Sequence, residues 1–119
     1  MVQRSETAEA RKMTDRYKDA YRLGKAIVGV GDLIKGLGGV LAVIILGVTL
    51  YASSEVKGES GLATTTIGIG FAVFVGILFY LLGVIVAAQG QILKGVLDTA
   101  INTSPFLTDG HRAEIMSLK

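Results

Sequence analysis

Between Ser60 and Leu93 the sequence runs for 34 residues without Asp, Glu, Lys, Arg or His. The centre of that run, Ile67 to Ala88, is built of Ile, Val, Leu, Phe, Ala and Gly, with Tyr80 its one polar side chain. A helix that crosses ~30 Å of hydrocarbon needs about 20 predominantly apolar residues at about 1.5 Å each. Residues 66–88 therefore predict a transmembrane helix. The competing explanation is a buried helix of a soluble protein, but such a helix rarely goes so far without a charge. A second uncharged run, Gly36 to Ser54, spans 19 residues and predicts another crossing over 37–52. That span is short, so Ile34 is expected to enter the apolar layer while Lys35 reaches back out of it.

Half of the 119 residues are apolar, and the excess sits in these two blocks, which is the membrane pattern rather than that of a soluble core. The net charge of +2 is too small to argue for a nucleic-acid partner. The absence of cysteine excludes disulfides, thiolate metal sites and palmitoylation. No secretory signal is expected, because a long charged segment precedes the first apolar run, and Val2 is not the glycine that N-myristoylation requires.

The flanks read as helix. Residues 1–22 carry mixed charges in which Glu9–Lys12 and Asp19–Arg22 stand three apart and Arg11–Asp15 four apart, spacings that support a solvated cytoplasmic helix. Ala10, Met13, Tyr17, Ala20 and Tyr21 draw a narrow apolar stripe along it, too thin for a core. Over 23–36 the stripe widens through Leu23, Ala26, Ile27, Val30, Leu33, Ile34 and Leu37, predicting an amphipathic juxtamembrane helix. The connector 53–65 reads as a short external turn, with Thr64, Thr65 and Thr66 available to cap the next helix. Residues 89–103 repeat the amphipathic theme with Ile92, Leu93, Val96, Leu97, Ala100 and Ile101. Ser104-Pro105 ends that helix. In the tail 104–119 a short helix is expected from the cap candidates Thr108 and Asp109, with Phe106, Leu107, Ile115, Met116 and Leu118 apolar. The predicted fold class is an all-α membrane protein: a two-span transmembrane helical hairpin with amphipathic cytoplasmic helical extensions at both ends.

Eight Lys or Arg residues precede the first span, one lies in the connector and three follow the second span. Those near the spans set orientation, and Lys25, Lys35 and Lys94 all fall on the arms, so both termini are expected in the cytoplasm. With Tyr51 at the far end of the first span, these lysines are the expected membrane-interface anchors. The expected location is a bacterial inner membrane.

Glycine is the most informative residue for function. Gly76, Gly83 and Gly90 repeat every seven residues, and Gly68-Ala72-Gly76 and Gly83-Ala87 are small pairs four apart. Gly39, Val43 and Gly47 form a weaker line in the first span, with Gly38 and Ala42 beside it. Small residues at this spacing let another helix approach closely, which is what holds helices together in lipid. The two helices of one hairpin would use one such seam. Further small residues on other faces point to a homo-oligomer, or to packing against other membrane subunits in the bilayer.

No reactive centre stands out. The second span lacks the carboxylate found in hairpins resembling the proton-carrying ring of rotary ATPases, and no ionisable residue is expected within either span. Tyr80 is expected to hydrogen-bond a backbone carbonyl or a neighbouring helix, and Gln89 and Gln91 to lie at the inner interface. His111, the one histidine, sits beside Asp109, Arg112 and Glu114, too few convergent ligands for a metal. The stretch GVGDLIKGLGG has no phosphate-binding or dinucleotide fingerprint. Asn102-Thr103-Ser104 matches a glycosylation sequon but precedes Pro105 on the cytoplasmic side. Neither enzyme chemistry nor a cofactor, metal, nucleic acid or small-molecule substrate is expected.

The layout of cytoplasmic arm, glycine-rich span, short turn, second span and cytoplasmic helix is similar in outline to small mechanosensitive channels and two-span phage holins. That likeness is architectural and no motif carries it. It implies a homo-oligomeric pore whose first span lines the lumen, as the alternative to a self-associating structural or accessory subunit.

Overall fold

The computed structural model describes residues 2–56 and 58–117, with the side chains of residues 2–7 and 10 outside the description. Lys57, Leu118 and Lys119, and the side chains of Arg4, Glu6 and Ala10, therefore lie outside the described residues. Within them the chain forms three helices and no strand: α1 (Val2–Glu55), α2 (Glu59–Thr103) and α3 (Asp109–Met116). Charged arm and apolar stretch belong to one unbroken helix in α1, and again in α2. Both long helices contain stretches long and apolar enough to cross a membrane.

The turn between them is tighter than the expected loop over 53–65. α1 runs to Glu55 and α2 starts at Glu59, so the threonines lie inside α2 and do not cap it. Thr64, Thr65 and Thr66 instead donate their hydroxyls to the carbonyls of Ser60, Gly61 and Leu62, at 2.8, 2.9 and 3.0 Å. Intrahelical bonds of this kind satisfy a hydroxyl where water is scarce. Gly58 makes the reversal at φ +89, a left-handed conformation that suits glycine. At the other end, Thr108 is the N-cap of α3 and its hydroxyl oxygen accepts from the His111 N–H.

Two compact units result, Val30–Ala87 and the pair of segments Met1–Gly29 and Ala88–Lys119. Val30–Ala87 is a helical hairpin whose contacts run antiparallel: Gly31 meets Ala87 and Gly83, Gly38 meets Phe79, Ala42 meets Gly76 and Thr49 meets Gly68. The other unit has a small core of Tyr21, Leu97, Ile101, Leu107 and Ile115, flanked by Tyr17, Ala20 and Leu93. Here the stripe expected to be too thin for a core supplies part of one. Tyr17 and Tyr21 succeed because α2 and α3 both pack on them, so a narrow face suffices.

Candidate functional site

The hairpin Val30–Ala87 is held by small residues. A Cβ built on Gly31 would lie 2.6 Å from both the Ala87 nitrogen and the Gly83 carbonyl oxygen. One built on Gly83 would lie 2.5 Å from the Gly31 carbonyl oxygen and 3.0 Å from the Lys35 nitrogen. Ordinary contacts between carbon atoms fall at about 3.5–4.0 Å, so here only glycine permits the approach. Gly38 would collide with the Phe79 side chain and Gly68 with that of Thr49, whereas Gly76 faces the Ala42 methyl at an ordinary 3.5 Å. Ala72 is fully buried.

Of the packing residues read from the sequence, Gly68, Ala72, Gly76, Gly83 and Ala87 thus lie on the inner face of this hairpin. Gly39 and Gly47 do not: nothing comes within 4 Å of where their side chains would begin. Gly36 and Gly70 are equally open. The sequence reading missed Gly31 and set Gly38 only beside the weaker line, although the two form the α1 half of the seam. Their signal was present, because Gly24, Gly31 and Gly38 repeat every seven residues just as Gly76, Gly83 and Gly90 do.

Most of the large side chains point the other way, Phe79 on Gly38 being an exception. Leu33, Val40, Val43 and Ile44 on α1, and Ile67, Phe71, Phe74 and Ile85 on α2, are each more than half exposed. Phe74, Ile77, Leu78, Leu81, Leu82 and Ile85 line a shallow apolar hollow of about 270 Å³ on the outer face of α2. Tyr80 is 58% exposed, and among the described residues no hydrogen bond reaches its hydroxyl. Tyr51 is likewise on the outside, 71% exposed.

One ion pair interrupts this apolar surface. Lys35 Nζ lies 2.8 Å from Asp32 Oδ1, and their side chains are 27% and 64% exposed. Lys35 has a second contact besides Asp32. Its stem crosses the seam, with Cγ 2.5 Å from where a Gly83 side chain would begin. Gly83 sits well inside the uncharged run Ser60–Leu93, ten residues before its end.

In the second unit Gly90 and Gly24 make the same kind of approach. A Cβ on Gly90 would lie 2.7 Å from the Gly24 carbonyl oxygen, and one on Gly24 would lie 3.2 Å from Lys94 Cγ. Lys25 is exposed and Lys94 half-buried. The apolar stripes of the arms are buried in part: Leu97 and Ile101 belong to this unit's core, whereas Leu23 is 57% exposed, and on α2 Ile92 and Val96 are 65% and 60% exposed. The Tyr21 hydroxyl donates to Asp98 Oδ1. Burial, then that hydrogen bond and the carboxylate's charge, push Tyr21 up to about 12.

α3 is tied to α1 by Lys18 and Glu114, 2.5 Å apart. This hydrogen bond, and then the lysine's charge, hold the Glu114 carboxyl below its ordinary value. Arg11, Thr14, Asp15, Lys18, His111 and Glu114 line a cleft of about 440 Å³ beside this contact. Its cations and carboxylates are balanced, and His111 Nδ1 is 3.0 Å from Thr108 Oγ1. Among the described residues no three His, Asp or Glu side chains converge as a metal site would require. Gln91 and Lys94 line a second cleft of about 400 Å³ with Tyr21, Gly95 and Asp98, whereas Gln89 is simply exposed. No protein-family model, no curated protein and no solved structure matches the chain.

Proposed function

We propose that the chain is a small integral membrane protein, without enzymatic activity, that self-associates as a structural or accessory subunit of a membrane assembly. The observation that carries this reading is the inverted distribution of side chains in Val30–Ala87. Glycine, alanine and threonine form the close contacts between the helices, joined by Phe79 on Gly38 and the Lys35 stem on Gly83, and most of the leucine, isoleucine, valine and other phenylalanine side chains lie outside. In water the hydrophobic effect drives the large apolar residues inward. In lipid that drive between helices vanishes, and close backbone contact through small residues takes its place. The most apolar 18-residue window of each long helix is only 11% buried, where the core helix of a soluble protein would be mostly buried.

Lipid covers most of the outer surface in this reading, and self-association uses what the hairpin leaves open. Gly39 and Gly47, unused within the chain, offer a further line of close approach on α1. The lysine-rich arms lie in the cytoplasm and the turn around Gly58 outside.

The test is reconstitution into vesicles. The chain should float with them, resist alkaline extraction and expose a tag at residues 55–59 only to the side opposite its termini. Native mass in mild detergent should exceed that of one 12.5 kDa chain. A chain that stays dissolved without detergent overturns the membrane reading. Reproducible unitary conductance from the purified protein overturns the structural role in favour of a pore.

A further inference from the structure

Resting on the membrane reading, we propose that the Asp32–Lys35 pair is a polar contact shared with a second copy of this chain, the Asp32 carboxylate of each copy accepting from the other's Lys35. The stem of Lys35 is fixed by its passage over Gly83, which carries its ammonium to the hairpin's outer surface at Asp32. Asp32 is 64% exposed, and Gly29 and Gly36, three and four residues from it on the same helix face, meet nothing within 4 Å. Lys35 donates to Oδ1 of Asp32, and among the described residues no other donor reaches that carboxylate. The stretch of α2 packed against the pair carries no charge. The next charged residues along the sequence are Lys25 on α1 and Lys94 on α2.

In the membrane reading this carboxylate lies at the edge of the apolar layer, where further hydrogen-bond donors stabilise it. A second copy supplies them by self-complementarity. Two hairpins inserted the same way and side by side bring identical residues level. Asp32 of one copy then lies about one helical turn, roughly 5 Å along the axis, from Lys35 of the other, within the reach of a lysine stem. The phosphate of a lipid headgroup would be repelled by Asp32, so the face fits a copy of the chain better than an anionic lipid.

The chain has no cysteine, so single introduced cysteines report on contacts without a background. Val43 is 68% exposed and shares a helix face with Asp32, eleven residues or about three turns away; Ile44 is 54% exposed and points about 100° aside. In vesicles of phosphatidylcholine and phosphatidylglycerol, V43C should form a disulfide-linked dimer and I44C should not. Adding D32N should reduce the V43C crosslink at least fivefold. D32K and K35D chains carrying different tags should each associate poorly alone, yet form mixed pairs at least tenfold above the random ratio. The double swap D32K/K35D should restore self-association.

Random mixing overturns the proposal, and so does V43C crosslinking that D32N leaves unchanged. If D32N alters flotation on the vesicles but not crosslinking, the pair contacts lipid instead and the proposal fails. If the unaltered chain does not float with the vesicles at all, the membrane reading itself has failed. Should the charge-reversed chains not insert, the D32N comparison on the V43C background decides alone.

Discussion

Replacing Gly31 with alanine should weaken the hairpin, while the same change at Gly39 should not. The Gly31 methyl would sit 2.6 Å from the Ala87 nitrogen and the Gly83 carbonyl oxygen, and 2.8 Å from the Ala87 methyl. Two of these three neighbours are backbone atoms, which have no rotamer to step into. The helices must separate locally by about 1 Å to restore ordinary contact, and such a gap forfeits a quarter to a half of the dispersion well at each contact it opens. Overpacking of this kind costs about 1–3 kcal/mol, and the lack of an adaptable side chain argues for the upper half, about 2–3 kcal/mol. Alanine recovers about 1 kcal/mol of helix propensity over glycine, leaving Gly31→Ala destabilised by about 1–2 kcal/mol. Gly39→Ala gains the same propensity and meets nothing within 4 Å. The propensity gain cancels in the comparison. The two variants should therefore differ by about 2–3 kcal/mol, a ratio of roughly 30- to 140-fold in folding equilibrium. Unfolding by SDS titration in mixed micelles, followed by circular dichroism on monomeric protein, measures this directly. Stabilities agreeing within about 0.5 kcal/mol would refute the account of the seam, because that is the scatter expected of surface positions.

Other contacts give independent checks. Ile115 is fully buried, so Ile115→Ala should cost about 2–4 kcal/mol and free α3, exposing the segment after Ser104 to protease. Tyr21→Phe deprives Asp98 of a donor and should cost about 1–3 kcal/mol in thermal unfolding. Because the folded state raises Tyr21 from its ordinary 10.0 to about 12, it holds a proton that the unfolded state has released. That contribution is intact below pH 10 and is lost as pH climbs toward 12, so Tyr21 should titrate late by tyrosinate absorbance, a component that Tyr21→Phe should remove. Glu114 behaves oppositely: its lowered value favours docking of α3 above its ordinary 4.5, a preference lost as the pH falls through the lowered value. Hydrogen exchange of α3 amides should quicken there, and Glu114→Gln should abolish the dependence.

Which residues were legible in advance follows from where each signal resides. The uncharged run Ser60–Leu93 depends on composition alone and marked out the apolar part of α2 without knowledge of any partner. The α2 small residues were visible for a similar reason: Gly76, Gly83 and Gly90 stand out against bulky neighbours. On α1, glycines occur on several faces, so a list of small residues could not separate Gly31 and Gly38, which touch α2, from Gly39 and Gly47, which touch nothing. Only the seven-residue spacing shared by both helices would have done so, because two helices that stay in contact over successive turns must present the same period to each other. The stripes of the arms divide. Leu97 and Ile101 are buried with Tyr21, whereas Leu23, Val30 and Leu33 stay exposed, and the α1 face that meets α2 carries Gly31 and the Lys35 stem. A hydrophobic stripe identifies the buried face only where water surrounds the helix. Where the outer surface meets lipid, both faces are apolar and size alone sorts them. Lys35 shows the same logic. By charge it belongs at a membrane boundary, but by the length and flexibility of its stem it fits over Gly83, and the hairpin places it there with Asp32 beside it.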